Sequence, residues 1–172
     1  MSLKFSEEST IIKNFLSEED FSFLKNNITS VEFPFYLQKG IVDNDDGEFY
    51  MCHRIYEDGK PLSDIYDWMR SKILPKLEVQ IVLRSKINLY SSTEIQKEHD
   101  FHTDYPFKCK TALLSINTCN GYTVLEDGTK LDSIENQMVI FDANKPHASA
   151  SCTDENWRMN LVLNYIPIGG LN

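Results

Sequence analysis

A chain of 172 residues, 41% of them hydrophobic, is long enough for one domain with a sizeable core, since such a domain removes roughly 70% of its unfolded surface from water. Its formal net charge of −9 sets the overall field against a polyanion, so nucleic acid stands well behind small molecules and peptides as a ligand. No apolar run approaches the roughly 20 residues of a membrane span, and MSLKFSEEST is acidic where a signal peptide is basic and then apolar, so a soluble, cytoplasmic protein is expected.

The first element predicted is a helix from Ser17. Ser17 is its N-cap, Glu18, Glu19 and Asp20 favour its positive end, and Phe21, Leu24 and Ile28 form an apolar stripe. Residues 31–38 and 48–56 read as strands around a polar loop at 43–47. The loop has the composition of a calcium site, but its first and twelfth positions would be Val42 and His53, which rejects that reading. His53 reads as a structural histidine, and Phe33, Phe35 and Tyr36 as sheet packing rather than a substrate cage. A second helix is predicted over 63–74, stopped by Pro75, with Ile65, Trp68, Met69 and Ile73 on its buried side.

From residue 78 the texture changes to short strands, near 79–91, 111–118, 122–126, 129–133, 137–142, 147–151 and 157–165, with a hairpin signal at Asp127-Gly128. So many short strands in so few residues predict a mainly β (α+β) jelly roll, with the two helices covering one outer sheet face. No repeat or linker divides the chain, so one domain is expected: residues 1–78 as support and 79–168 as the core. Cys52, Cys109, Cys119 and Cys152 follow no CxxC spacing and read as free thiols.

FHTDYPF, at 101–107, carries the chemistry. His102 and Asp104 are two apart, and in an extended segment both side chains point to one side and reach one ion. His147, at the entry to a late strand, supplies a third ligand. Two histidines and one carboxylate leave up to three positions open, as a non-haem Fe(II) centre requires. His99 beside Asp100 lacks this spacing and reads as an exposed or supporting residue. Arg158, on the final strand, has no purpose in an iron site alone; a dicarboxylate cosubstrate would need it, because guanidinium pairs bidentately with carboxylate. Asn160 faces the same side and can add a hydrogen bond.

In these residues the sequence resembles the Fe(II)/2-oxoglutarate-dependent oxygenases, whose core is a double-stranded β-helix (a cupin-like jelly roll). The matching pattern is HxD (His102, Asp104), a distal histidine (His147) and the spaced Arg158. Residues 111–142 look like the prolyl-hydroxylase-like branch, with a Gly-x-Thr strand, a DG hairpin and a VIFD strand before the distal histidine. NGYTVLEDGT, FPFY and FYMCHRIY look closest to uncharacterised members from marine phages and microbes, which would make a phage-infected or marine bacterial host the setting.

The resemblance implies Fe(II), 2-oxoglutarate and O₂ as cofactors, with ascorbate a further candidate. It implies hydroxylation of a C–H bond in a prolyl, other peptide or small-molecule substrate, with release of succinate and CO₂. It also implies that Tyr90 hydrogen-bonds the 2-oxoglutarate and that Ser115 faces the same pocket. Collagen-type prolyl hydroxylases have lysine where this chain has Arg158. With Tyr90 in the pocket, the polar face of strand 79–91 (Arg84, Lys86, Asn88) lines the barrel mouth, and Arg84 and Lys86 offer charge to an anionic substrate. The alternatives are a nucleic-acid demethylase of the same fold and a non-catalytic jelly-roll binding protein. The oligomeric state is not set by the sequence.

Overall fold

In a computed structural model, residues 9–42 and 48–169 are described. The predicted polar loop at 43–47 lies outside them. The chain runs β1 (Thr10–Ile12), α1 (Glu18–Ile28), β2 (Tyr36–Lys39), β3 (Phe49–Glu57), β4 (Lys60–Pro61) and α2 (Ile65–Lys72), followed by a 3₁₀ turn at Leu74–Leu77. Seven strands follow: β5 (Val79–Ser91), β6 (Lys110–Ser115), β7 (Cys119–Leu125), β8 (Lys130–Ser133), β9 (Met138–Asp142), β10 (His147–Ser149) and β11 (Trp157–Pro167).

Ser17 caps α1 as expected, its hydroxyl accepting the Asp20 N–H at 3.1 Å. α2 is shorter than its predicted span. The helix ends at Lys72, with the Ile73 N–H making its last bond to Met69 O at 2.9 Å, because Pro75 has no N–H to continue the ladder; Pro75 sits instead in the first turn of the 3₁₀ segment, where that N–H is not needed. Residues 31–35 are not strand. Phe33 N–H closes a turn onto Ser30 O at 3.1 Å, and the Pro34 carbonyl accepts from the His53 ring at 2.8 Å. His53 is buried, and its other ring nitrogen lies 2.6 Å from Ser63 Oγ, so it is a satisfied structural histidine.

The strands form two sheets. An eight-stranded sheet has the order β1-β9-β6-β11-β5-β3-β2 with β4 on β3, and a three-stranded sheet has the order β10-β7-β8. All registered pairs are antiparallel. Residues 98–102 extend the small sheet through bridges Glu98↔Ala150 and His102↔His147. This is the predicted double-stranded β-helix.

The apolar side chains divide into two clusters. The larger lies outside the barrel: Phe21, Leu24 and Ile28 of α1 and Ile65 and Met69 of α2 pack with Ile87, Leu114, Leu161 and Leu163 of the large sheet. Leu24 and Met69 are fully buried, so truncating either to alanine would cost about 2–5 kcal/mol. The smaller cluster, Leu113, Leu131, Val139, Phe141 and Val162, lies between the two sheets. Polar side chains, among them Asn88, Thr111, His147, Arg158 and Asn160, line much of the remaining space between the sheets, and they mark the site.

Simple alternation along β5 would put Val79, Ile81, Leu83, Ser85, Ile87 and Leu89 on one face and Gln80, Val82, Arg84, Lys86, Asn88 and Tyr90 on the other. Ser85 and Ile87 do face the helices, with Ser85 Oγ donating to Met69 Sδ at 3.2 Å and Ile87 in the outer cluster. The strict alternation breaks at Leu83, however. Asn164 pairs with Arg84 but Tyr165 pairs with Val82, so Leu83 is an extra residue and the parity flips. Val82 therefore packs on the helix side and Ile81 is 48% exposed.

Candidate functional site

The barrel brings His102, Asp104 and His147 together: one ligand atom from each lies within 4.8 Å of the others. Backbone pairing explains this. His102 and His147 exchange both N–H···O bonds, at 3.0 and 2.9 Å, so they sit directly opposite each other on adjacent segments and present both rings to the same face. The Asp104 N–H then bonds Ala143 O at 2.9 Å, holding the HxD segment extended for two more residues. His147 Nδ1 donates to Lys145 O at 3.0 Å, which leaves Nε2 as the free lone pair, 3.8 Å from Asp104 Oδ2. His102 Nδ1 is buried with no hydrogen-bond partner among the described residues.

The electrostatics suit a cation. Burial, and then the neighbouring His147, push the His102 pKa down, which favours the neutral imidazole that ligates metals. For Asp104 burial pushes the other way. The His147 ring, the Arg84 guanidinium, Thr111 and Asn164 outweigh it together and hold the carboxyl below its usual range. Asp104 accepts from Arg84 Nη2 at 2.9 Å, Thr111 Oγ1 at 2.7 Å and Asn164 Nδ2 at 2.9 Å.

Arg158 lies at the far end of the same cavity, directly opposite Tyr90 on β5. It is 2% exposed. Its Nε donates to Ser133 Oγ at 2.8 Å and its Nη2 to Thr123 Oγ1 at 3.1 Å, and its guanidinium lies 6.0 Å from the centre of the Tyr90 ring. No carboxylate among the described residues pairs with it, and burial pushes its pKa down. Burial also pushes the Tyr90 hydroxyl strongly up, so it stays a neutral donor.

Gly121 makes room for this arginine. A Cβ there would lie 2.7 Å from Arg158 Cδ and 3.0 Å from the Ala150 carbonyl oxygen, so no other residue fits without movement.

The remaining candidates fall as follows. Asn160 lines the cavity and accepts from Asn88 Nδ2 at 3.4 Å, while Asn88 Oδ1 is buried without a partner among the described residues. Ser115 is buried on β6 opposite Asn160 but does not line the cavity. Lys86 lines the cavity and its mouth, and donates to Tyr50 Oη at 3.1 Å. Arg84 reaches the mouth too, but its guanidinium is held on Asp104 and Asn164. His99 is apart from the triad: it bonds Ser149 Oγ at 2.9 Å and stacks on Tyr90.

Five contributors were not singled out from sequence: Thr111, Gly121, Thr123, Ser133 and Asn164. Three had a visible signal. Gly121 and Thr123 are the Gly-x-Thr of its strand, and Asn164 lies on the same alternate positions of β11 as Arg158 and Asn160, with Val162 between.

The site cavity is small, about 60 Å³, with a polar mouth of about 260 Å³. A far larger cavity, about 690 Å³, lies elsewhere, between the helices, β2 and β3, where Phe23, Phe33 and Trp68 line it. It shares no residue with the triad, and Arg54 and Asp64 are the charged side chains of its lining, so size alone does not locate the chemistry.

No protein-family profile matches the chain, and no curated protein does. Solved structures do. One is a 2OG-Fe(II) oxygenase-family oxidoreductase from Burkholderia pseudomallei, with TM-score 0.68, 12% identity, and coverage of 91% of this chain and 84% of that one. A prolyl hydroxylase from Trichoplax adhaerens, in complex with a hypoxia inducible factor peptide fragment, has TM-score 0.62, 17% identity, and coverage of 93% and 84%. A prolyl-4-hydroxylase from Pseudomonas putida has TM-score 0.57, 14% identity, and coverage of 91% and 91%. At these identities the likeness is one of fold. The chain thus has the fold of the 2-oxoglutarate–Fe(II) oxygenases and, inside it, a His-Asp-His cluster. No helix among the described residues is long and apolar enough to cross a membrane.

Proposed function

We propose that the protein is an Fe(II)- and 2-oxoglutarate-dependent dioxygenase that hydroxylates a C–H bond, built as one oxygenase domain. The observation that carries this reading is a pair of opposite features in one cavity. His102, Asp104 and His147 converge within 4.8 Å, and Arg158 is buried at the other end of the same cavity with hydroxyl partners but no carboxylate among the described residues. The donor set fits iron: two imidazoles, one of them with an orphaned buried nitrogen, and one carboxylate.

When bound, iron together with 2-oxoglutarate and O₂ supplies the oxidising power that breaks the C–H bond, with succinate and CO₂ as coproducts. The residues of this chain do the rest. Arg158 receives the distal carboxylate of the cosubstrate, and Thr123, Ser133 and Gly121 keep its fork aimed into the cavity. Tyr90 and Asn160 are the polar neighbours of that carboxylate. The inner cluster of Leu113, Phe141 and Val162 excludes water from one wall.

The substrate approaches through the mouth, where Lys86 and Lys39 are cations not held by a carboxylate among the described residues, so an anionic group on a peptide or small molecule fits there. Asn88 adds an amide whose oxygen has no partner among the described residues. The peptide bound by the Trichoplax adhaerens prolyl hydroxylase supports the peptide option.

The test is succinate release from 2-oxoglutarate by iron-loaded protein, with and without candidate peptides. Iron-dependent succinate formation supports the reading. Protein that binds neither Fe(II) nor Mn(II) at this cluster, or binds the metal but never 2-oxoglutarate, overturns it.

A further inference from the structure

We propose that the substrate is a peptide that adds as a strand to the free edge of β2. One of its apolar side chains fills a notch between β2 and β4, about four residues from the side chain presented at the metal site. This deepens the dioxygenase reading above and rests on it.

β3 carries two partner strands on the edge away from β5. β2 covers its first half, with Tyr36 opposite Cys52, and β4 covers its end, with Pro61 opposite Tyr56. Residues 53–55 have no partner strand on that edge, and the Leu62 N–H, bonded to Ile55 O at 2.9 Å, closes the far side. The notch left there is the cavity of about 690 Å³. Phe33 and Tyr36 form one wall, Leu62 the other, Phe23 and Trp68 the helix side, and Arg54 the side toward the barrel mouth. Phe23, Tyr36 and Leu62 are 49%, 62% and 51% exposed, so this apolar lining faces water, as an interaction surface does.

The notch is continuous with the mouth of the metal site. Gln38 lines both, and Arg54 in the notch is registered directly opposite Lys86 in the mouth, which puts their Cβ atoms about 5 Å apart on one face. β2 joins the two places: Tyr36 stands at the notch and Gly40 at the mouth, about 13 Å apart along an extended chain. An even number of residues separates them, so one added strand presents a side chain to each from the same face.

The backbone of β2 identifies the occupant as a peptide. The Gly40 N–H bonds Glu48 O at 2.7 Å, in step with the pairs Tyr36↔Cys52 and Gln38↔Tyr50, so these three residues turn their backbone groups to β3. Leu37 and Lys39 turn theirs outward, where β2 is the last strand of the sheet. The Leu37 carbonyl accepts the neighbouring Gln38 amide at 3.1 Å. The two N–H groups and the Lys39 carbonyl have no strand among the described residues to pair with. An alkyl tail fills the notch without using these groups; an extended peptide uses both.

A degenerate library of decapeptides, selected on the protein in the presence of Mn(II) and 2-oxoglutarate, is the probe. Enriched peptides should share a bulky apolar residue, and its replacement by alanine should weaken binding by about tenfold or more. Leu62→Ser, at an exposed position, should do the same from the protein side. Lys39→Pro removes only an outward N–H, which an edge strand tolerates, and should weaken binding by about tenfold, whereas Lys39→Ala should cost less than about threefold. In wild-type protein, bound peptide should slow exchange of the Leu37 and Lys39 amides by about tenfold or more.

No enriched peptide, or enriched peptides that bind Leu62→Ser as wild type does and leave those amides unprotected, overturns the proposal. So does dansyl-undecanoate binding that Leu62→Ser weakens and Lys39→Pro does not, without peptide selection: the notch then takes the tail of a small amphiphile. The dioxygenase reading fails separately, by absence of succinate formation from protein whose β2 edge still binds the peptides.

Discussion

Two charges are buried in one cavity of this barrel, and they are treated in opposite ways. Asp104 accepts hydrogen bonds from a guanidinium, an amide and a hydroxyl, all supplied by the large sheet. Arg158 has two hydroxyls and an aromatic face, but among the described residues no anion. A buried charge left without its counterion is costly, so a fold that keeps one has a partner that arrives from outside. The contrast supports the proposal that the Asp104 end holds a cation and the Arg158 end receives a carboxylate.

The largest expected effect removes the Asp104 end. His102→Ala, Asp104→Ala and His147→Ala should each abolish Fe(II)-dependent succinate formation, while far-UV circular dichroism stays close to wild type, because the main core lies outside the barrel. If His99→Ala abolished metal binding while His102→Ala did not, the ligand set would be wrong.

Next comes the other end. Losing one partner of a buried ion pair costs about 3–5 kcal/mol. Arg158→Ala should therefore weaken 2-oxoglutarate binding by two or more orders of magnitude, at about 1.4 kcal/mol per decade. Isothermal titration of the Mn(II) form reads this, and Mn(II) affinity itself should hardly change. Arg158→Lys should rescue in part. Unchanged cosubstrate affinity in Arg158→Ala would break the contrast between the two ends.

A smaller effect is expected from the glycine beneath it. In Gly121→Ala the new methyl meets Arg158 Cδ and the Ala150 carbonyl, which should cost about 1–3 kcal/mol of stability in urea unfolding and tilt the guanidinium away from its hydroxyls. Part of that cost should vanish when Arg158→Ala is added, because one of the two clashes is then gone. Additive losses in the double variant would show that the two residues act independently.

The smallest effect sharpens the comparison rather than breaking it. Thr123→Val removes one hydroxyl from Arg158 and leaves Ser133, so 2-oxoglutarate affinity should fall by about three- to tenfold with little change in stability. A loss as large as that of Arg158→Ala would mean that Thr123, not the arginine, anchors the cosubstrate.

Local sequence was enough for whatever depends on neighbours along the chain. The cap at Ser17, the apolar stripe of α1 and the same-side placement of His102 and Asp104 follow from helical and extended periodicity. The succession of strands after residue 78 follows from turn chemistry and alternation. Where the local signal failed, a pairing partner or a proline was responsible. β1 is three residues long and is recognisable as strand only because it lies against β9. The segment before β2 was drawn into a turn by Pro34 and the His53 ring.

His-x-Asp, the distal histidine and the spaced arginine were legible because their chemistry is written in residue type and order. What holds them was not. Thr111 and Asn164 reach Asp104, and Thr123, Ser133 and Gly121 frame Arg158, only because strands far apart in sequence lie in one particular register. The extra residue at Leu83 shows how narrow that dependence is: one unpaired position reverses which side chains of β5 face inward. Sequence by itself determined which groups the protein carries and which stretches are helix or strand. Only tertiary structure decided which charge is satisfied and which is left open, because satisfaction depends on distances of about 3 Å that register and packing set.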